Sequence, residues 1–283
     1  MNKRSNKRIS VSISNTQRSK LASAFMAGLF DHQLTWYQAG KTERIRNILK
    51  SRQIGATSYF AHEAFLDALE TGRNQIFLAA SKGQAHQFKS YIQQFAYAYA
   101  GIELKGKKIV LPNKAELIFL GSKCDLCFLD TECEGEQIYH GNLYVDEYFW
   151  FNWSHKLKKW AADLASQNQY RQTYFSTPSS LRHEAYPFWS GASLNCGEAK
   201  SEQMPLDVSY VALGKGRRCE DGQWRQIVTI EDAQAGGCNL FGLDLDQLRL
   251  EFSPDEWLQL FYCQFIDGSH NRNKQQQSGD VLK

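Results

Sequence analysis

The stretch Lys50-Ser-Arg-Gln-Ile-Gly-Ala-Thr57 decides the fold, because it joins an apolar segment, Arg46 to Lys50, to an amphipathic one, Ser58 to Leu69. The first segment is typical of a buried strand, and the second repeats apolar side chains every three to four residues, as a helix on a sheet does. A turn from strand to helix points backbone N–H groups and the positive end of the helix dipole at an anion. The octapeptide predicts a phosphate-binding loop, with an ordinary surface turn as the alternative.

The usual phosphate-loop pattern, GxxxxGK[ST], places a lysine directly before the hydroxyl residue, where this chain has Ala56. Gly55 still permits close backbone approach, and Thr57 offers a hydroxyl to Mg²⁺. The positive charge must then come from Lys50 or Arg52, whose side chains are long enough to reach back over the loop. The predicted nucleotide-binding residues of the loop are Lys50, Ser51, Arg52, Gln53, Gly55, Ala56 and Thr57.

Short apolar runs between Gly, Pro, Asn and Ser predict further strands, and these alternate with helical patterns such as Gln84 to Tyr99. Alternation of this kind predicts an α/β fold with a mostly parallel sheet flanked by helices, and sites at the carboxyl ends of the strands. Two of the runs surround Pro112-Asn113 and predict a hairpin-like insertion. The predicted strands cover 75–80, 109–111, 115–120, 142–145 and 172–175.

Two of these strands end in polar residues that suit nucleotide chemistry. The segment Asn142 to Glu147 is an apolar strand followed by two acids, so Asp146 can hold Mg²⁺ while Glu147 orients a water molecule. The alternative is a pair of exposed acids at a strand end. Tyr174 to Pro178 is a strand that runs into two small hydroxyl residues and a proline, which alone would indicate a plain turn.

Four ordered segments together resemble the ATPase domain of the large terminase subunit of tailed bacteriophages, and the resemblance spans about residues 28 to 265. It implies an α/β P-loop NTPase fold of the RecA type with a small C-terminal lid, and a motor that packages DNA. A displaced lysine or arginine in the loop is normal in that family. The four segments are Leu29–Trp36, Ile48–Thr57, Gly141–Trp150 and Tyr174–Ser180.

The resemblance also implies the roles of single residues. Glu147 and Arg52 would be catalytic, Thr57 and Asp146 would hold Mg²⁺, and Gln33 would contact the adenine, with Trp36 as its packing partner. An arginine of a neighbouring subunit, either Arg182 or Arg225, would complete the site. The coupling motif would be Ser176, Thr177 and Pro178.

The partners that the resemblance implies are ATP, Mg²⁺, double-stranded DNA, the portal of a procapsid, the small terminase subunit and further copies of the chain in a ring. Two alternatives stay open: a prophage remnant that binds nucleotide or DNA without turnover, and a helicase-like translocase. Nuclease activity is not predicted, because the chain stops at Lys283, before the nuclease domain that full-length relatives carry.

The composition of the chain limits its structural class, its expected location and its division into parts. The chain has 283 residues, 42% of them apolar, with no run long enough for a bilayer and no secretory signal, so the expected location is the host cytoplasm. The first 30 residues hold six Lys or Arg and no acid, which could contact phosphates or form a solvated tail. The predicted parts are a basic arm (1–28), an ATPase core (29–204), a lid (205–266) and a polar tail (267–283).

Seven scattered cysteines favour reduced thiols over disulfides. Cys124, Cys127, Cys133 and His140 have a ligand set that zinc could use, but the usual second CxxC is absent, so buried structural cysteines are favoured over a zinc site.

Overall fold

The computed structural model describes residues 12–106, 109–121, 139–153, 155–192, 206–239, 242 and 244–267. The helices are Asn15–Ala27 (α1), Asp31–Thr42 (α2), Ala56–Thr71 (α3), Lys82–Ala100 (α4), His155–Leu164 (α5), Tyr186–Trp189 (α6), Tyr210–Leu213 (α7), Ile230–Ala235 (α8), Leu245–Leu250 (α9) and Pro254–Tyr262 (α10). The strands are Ile45–Lys50 (β1), Gln75–Ala79 (β2), Ile109–Val110 (β3), Glu116–Gly121 (β4), Asn142–Asp146 (β5), Gln172–Ser176 (β6), Arg217–Arg218 (β7) and Trp224–Val228 (β8). The chain divides into two compact units, 1–29 with 55–146 and 160–172, and 30–54 with 147–159 and 173–283.

In the first unit the strand order is β3-β4-β2-β5. Strand β2 pairs in parallel with β4 and β5, whereas β3 is antiparallel to β4 and forms the predicted hairpin. Helices α3 and α4 pack on these strands, and α1 packs on both helices. Their apolar faces form a core of fully buried side chains, among them Phe60, Phe65, Phe77 and Phe88.

In the second unit the strand order is β6-β1-β8-β7. Strands β1 and β8 are parallel, and β7 is antiparallel at the end of this order. Arg46 of β1 has no exposed surface, and its guanidinium donates to the Thr173 hydroxyl at 2.9 Å and to the Trp36 carbonyl at 2.8 Å. The predicted α/β class with a mostly parallel sheet flanked by helices is confirmed.

The predicted basic arm differs from the structure, because residues 15–27 form helix α1. Ser14 caps this helix by accepting from the Gln17 backbone N–H, and Leu21 and Phe25, four residues apart, are buried. Arg18, counted as a charge available for phosphate, donates to the Leu69 carbonyl at 2.7 Å instead. Lys20 of the same helix is exposed, and the other four basic residues, at positions 3, 4, 7 and 8, lie outside the described residues.

The predicted lid, residues 205–266, also differs, because it supplies a central strand. All five residues of β8 are buried, and the strand pairs with β1 from Arg46 opposite Trp224 to Lys50 opposite Val228. Arg225 and Gln226 in its middle hide the apolar pattern of a buried strand.

Residues 245–262 of the same region contain two helices, α9 and α10. Ser253 caps α10 and Pro254 occupies its first turn, where proline fits because that N–H needs no partner within the helix. None of the helices in the described part of the chain is long and apolar enough to cross a membrane.

Candidate active site

The loop between β1 and α3 is held by backbone contacts on its first residues. The N–H of Ser51 donates to the Val228 carbonyl at 2.8 Å, and that of Arg52 donates to the Leu260 carbonyl at 2.9 Å. Gln53 has a φ of 60°, in the left-handed region that few residues other than glycine adopt. Such backbone strain often marks a functional loop.

Gly55 ends the loop and caps α3, with a φ of 77° that favours glycine. Ala56 is the first residue of the helix and is buried. A lysine usually stands at this position, so the loop has no cation here. The loop therefore has strand-to-helix geometry, and its cation must come from elsewhere.

The structure places one cation of this region, Lys50 at the end of β1, beside the acid Glu147. Its ammonium forms an ion pair with Oε1 of Glu147, and its side chain is 8% exposed against 23% for Glu147. A buried ion pair of this kind is costly to break by removing one partner, since the other charge then stays in a poorly solvated place. The structure thus brings together two residues that are 97 positions apart in the sequence.

The other carboxylate oxygen of Glu147 receives donors from the turn after β6. The backbone N–H of Thr177 lies 2.8 Å from Oε2, the Thr177 hydroxyl 3.0 Å and the Ser176 hydroxyl 3.1 Å. Pro178 follows directly and is buried. Glu147 itself has a φ of 54°, again in the left-handed region. Its side chain is therefore fixed from both oxygens on a strained backbone.

These contacts determine the charge of Glu147. Burial alone would raise the pKa of its carboxyl group, but the Lys50 ammonium and the hydrogen bonds from Thr177 hold that pKa below its ordinary value. Glu147 is therefore a carboxylate at neutral pH. A carboxylate is the state in which it can accept a proton from water or orient a water molecule.

The second predicted acid, Asp146, lies at the end of β5 in the first unit. Its Oδ2 accepts a hydrogen bond from the Thr57 hydroxyl at 3.0 Å, and the Asp146 side chain is buried. A hydroxyl and a carboxylate oxygen are a donor set that Mg²⁺ uses when phosphate oxygens and water complete its shell. No cluster of three or more His, Cys, Asp or Glu side chains occurs among the described residues. A metal here would thus depend on such outside ligands.

Arg52, predicted as a catalytic cation, is not brought to the acids. Its side chain is exposed and makes no hydrogen bond or ion pair with any residue that the structure describes. Lys50 takes the position beside Glu147 instead, because it ends the strand and faces inward, whereas Arg52 lies on the turn. Of the two cations that the sequence left open, the structure selects Lys50 for contact with the acid.

The predicted adenine contacts belong to the interior of the second unit. Gln33 is buried, and its Oε1 accepts from the Phe30 backbone N–H at 3.3 Å, which caps α2. Trp36 has no exposed surface and packs edge-on against His32, with ring centres 4.9 Å apart. Trp36 thus offers no face to a base, and its proposed role as a packing partner is wrong.

The two arginines predicted to complete the site of a neighbouring subunit differ in their exposure. Arg225 has no exposed surface; it pairs with Asp221 at 2.6 Å and donates to the Trp189 carbonyl at 2.8 Å. It is a structural residue and cannot reach another subunit. Arg182 is 72% exposed in its side chain and 4.0 Å from Asp267, so it stays a candidate.

Trp150 also contacts the turn that holds Glu147, a role that the sequence patterns did not predict. Its indole nitrogen donates to the Thr177 hydroxyl at 2.6 Å, although the two residues are 27 positions apart. The zinc hypothesis remains a prediction, since Cys124, Cys127 and Cys133 lie outside the described residues.

Comparison with known proteins agrees with this geometry. The family described as "Terminase large subunit, T4likevirus-type, N-terminal" matches residues 47–279. A terminase ATPase subunit of Escherichia phage P2 is 53% identical over 250 residues, which cover 88% of this chain and 40% of the relative. A probable terminase ATPase subunit of Haemophilus phage HP1 is 42% identical over 248 residues, covering 88% and 39%. The chain thus spans about 40% of the length of these relatives.

Solved structures show the same fold at low sequence identity. A large terminase from a thermophilic bacteriophage, in complex with ADP, has a TM-score of 0.58 at 12% identity, covering 84% of this chain and 54% of the other. A variant of the large terminase ATPase domain of a Thermus phage has a TM-score of 0.50 at 13% identity, covering 83% and 93%. At these identities the likeness concerns the fold alone.

Proposed function

The chain belongs to the family of terminase large subunits of the T4-like virus type, N-terminal part, and on this basis we propose that it is an ATP-hydrolysing motor domain that drives double-stranded DNA into a procapsid. The observation that carries the proposal is the Glu147 carboxylate, held between the Lys50 ammonium and the Ser176–Thr177 turn. A fixed carboxylate next to a phosphate-binding loop is what hydrolysis of a nucleoside triphosphate requires, because that chemistry consists mostly of positioning and charge stabilisation.

The nucleotide would bind along the loop from Lys50 to Thr57. Lys50, at the start of this loop, would supply the positive charge that a lysine at position 56 usually provides. The positive end of the α3 dipole would also face the phosphates. Thr57 and Asp146 would hold Mg²⁺, whose role when bound is to neutralise phosphate charge. Gln33 remains a candidate for the adenine, although its Oε1 serves the α2 cap in this structure.

Glu147 would orient the attacking water and accept its proton. The hydrogen bonds from Thr177 keep Glu147 ionised, and its strained φ is maintained by the turn that follows it. Because Ser176 and Thr177 of the coupling motif hold this carboxylate directly, a change at the acid is transmitted to the turn after β6, which Pro178 ends, without an intermediate side chain. This contact supports their proposed role in relaying the state of the nucleotide.

The wider partners follow from family membership and are part of the proposal. They are double-stranded DNA, a portal on the procapsid, a small terminase subunit and further copies of the chain in a ring, all in the host cytoplasm. Arg182, exposed in the second unit, is the arginine that could act on a neighbouring subunit. Such an arginine can contribute 10³-fold or more to the rate.

The test measures ATP turnover by the wild-type chain and by Glu147→Ala, with and without duplex DNA and procapsids, over a range of protein concentrations. We expect Mg²⁺-dependent turnover that duplex DNA stimulates, that rises steeply with concentration and that Glu147→Ala abolishes. Nucleotide binding without turnover under every condition would favour a remnant, and strand separation would favour a helicase. Calorimetry that detects no binding at millimolar ATP and Mg²⁺ would overturn the nucleotide site.

A further inference from the structure

Trp150 is linked to Glu147, the proposed catalytic acid, in two ways: directly through the backbone, and through Thr177 to the side-chain carboxylate. Its backbone N–H donates to the Glu147 carbonyl at 2.8 Å, which closes the short turn Tyr148–Trp150. Its indole Nε1 donates to the hydroxyl of Thr177 at 2.6 Å and to the Thr177 carbonyl at 3.1 Å. Thr177 in turn donates from its hydroxyl to Oε2 of Glu147 at 3.0 Å. The side chains of Trp150, Thr177 and Glu147 form one hydrogen-bonded chain.

The chemistry of the indole fixes the direction of this chain. An indole N–H can only donate, so the Thr177 oxygen must act as its acceptor. The single hydroxyl proton of Thr177 then points away from the indole and toward Glu147. Ser176 differs, because its hydroxyl proton has two acceptors within reach, the Thr177 carbonyl at 2.6 Å and Glu147 at 3.1 Å. The Thr177 hydroxyl thus donates in one direction, to the acid, whereas the proton of the Ser176 hydroxyl has two competing acceptors.

Burial does not explain a tryptophan at this position. Trp150 is 48% exposed, whereas its neighbours Tyr148 and Phe149 are almost fully buried in an aromatic cluster. A half-exposed ring contributes less to the core than a buried one, since the hydrophobic gain follows the apolar area removed from water. The indole N–H, in contrast, makes a short hydrogen bond to a residue that contacts the acid.

We propose that Trp150 is a positioning residue, which holds the Thr177 hydroxyl as a donor to Glu147 and so keeps the carboxylate correctly aimed. This proposal rests on the hydrolytic role given to Glu147 above. It acts through Thr177 and requires no contact between Trp150 and the nucleotide.

The first test replaces Trp150 with phenylalanine, which keeps an aromatic ring and removes the N–H. We expect Trp150→Phe to lower kcat roughly three- to tenfold, the size expected for the loss of one neutral hydrogen bond, with KM for ATP changed less than about twofold. Trp160→Phe, a half-buried tryptophan in α5, is the matched control and should change neither quantity.

A double-mutant cycle then separates positioning from packing. Thr177→Val removes the hydroxyl and should cost as much as Trp150→Phe, and the double variant should cost little more than either, because both act through one chain. Thr177→Ser, which keeps the hydroxyl, should retain most of the activity. Losses that multiply in the double variant, or a Trp150→Phe enzyme with unchanged kcat, would overturn the proposal.

A second readout does not depend on turnover. The indole ¹H–¹⁵N resonance of Trp150, assigned by its absence in Trp150→Phe, should shift both in Thr177→Val and in Glu147→Gln. An indole resonance that is insensitive to both Thr177→Val and Glu147→Gln would overturn the proposal even in an active enzyme. If the wild type shows no turnover, the proposed function is refuted. The indole resonance would then still test whether Trp150, Thr177 and Glu147 are hydrogen-bonded in a chain.

Discussion

Asp146 and Glu147 are consecutive acids, and the side chains that surround them differ in kind. Asp146, at the end of β5 in the first unit, accepts from a neutral hydroxyl, that of Thr57. Glu147, in the second unit, receives a lysine ammonium on one oxygen and a backbone N–H with two hydroxyls on the other. A strand that ends in two acids has thus been given two different environments.

The difference indicates how one strand end can serve two chemical tasks. Thr57 and Asp146 both present oxygen ligands of the kind that a hard cation prefers. The donors around Glu147 are instead a cation and fixed N–H or O–H groups, which stabilise a negative charge and fix its direction. The first region suits metal binding and the second suits action on water, and substitutions in each should have separable effects.

The largest effect is expected at Glu147. Glu147→Gln keeps the size of the side chain and removes the charge, so turnover should fall by roughly 10²- to 10⁴-fold, the usual contribution of a general base. Binding of ATP with Mg²⁺, measured by calorimetry, should stay within a few-fold of the wild type, because Glu147 is not among the residues proposed to bind phosphate or Mg²⁺. Turnover above a tenth of the wild-type rate would show that another group activates the water.

Lys50→Met should affect both binding and stability. Affinity for ATP should drop at least about tenfold, and the free energy of unfolding should fall by roughly 1–3 kcal/mol, since Glu147 loses its cation in a poorly solvated place. Urea unfolding measures the second effect. The Lys50→Met/Glu147→Gln double variant should recover most of that stability but no turnover; a double variant that is less stable than Lys50→Met would contradict the ion pair.

Thr57→Val tests the other region. It removes the hydroxyl beside Asp146 with little change in volume, so the Mg²⁺ concentration for half-maximal turnover should rise about tenfold, while KM at saturating metal changes less. Thr57→Ser, which keeps the hydroxyl, is the control and should behave like the wild type. An unchanged Mg²⁺ dependence in Thr57→Val would remove Thr57 from the metal site.

The smallest effect concerns pH and compares the two units directly. Each contains a histidine that is shielded from water, the half-buried His62 in the first and the buried His32 in the second, and desolvation lowers the pKa of each to about 4. Because the unfolded chain binds these protons near pH 6.5, stability should be complete above that pH and fall as the pH drops toward 4. The expected loss at pH 5 is about 1–2 kcal/mol per histidine.

Urea unfolding at pH 7 and pH 5 checks this expectation. His62→Gln and His32→Gln should each flatten the dependence, and His86→Gln, at an exposed position, should leave it as in the wild type. A pH dependence that survives in both the His62→Gln and the His32→Gln variants would assign the acid sensitivity to other groups.

Much of the fold could be predicted from local patterns. The strand before the loop, the helix after it and the strand before the two acids each carry their own periodicity, and their observed bounds differ from prediction by no more than two residues. The loop was also identifiable without its usual lysine, because Gly55 and Thr57 keep their spacing. These features depend on neighbours in the sequence.

The rest depends on contacts between distant residues. Strand β8 escaped prediction because Arg225 interrupts its apolar run, and only the structure shows that Asp221 and two carbonyls satisfy this buried charge. The choice of Lys50 over Arg52 depends on which side chain faces Glu147, which linear spacing does not state. The position of Trp150 in the sequence does not indicate that its indole N–H donates to Thr177, 27 residues away.

The pairing of β1 with β8 has a consequence for how the protein is made. Val228 lies opposite Lys50 in this pairing, so at about 5–20 residues per second a ribosome needs roughly 10 to 35 s after Lys50 to complete the partner strand. During that interval the apolar run of β1 has no partner from β8 and is open to misassociation, since parallel pairing over long separations is slow. Synthesis rate and chaperone supply in the cell should therefore influence the yield of folded chain more than the strength of any single contact.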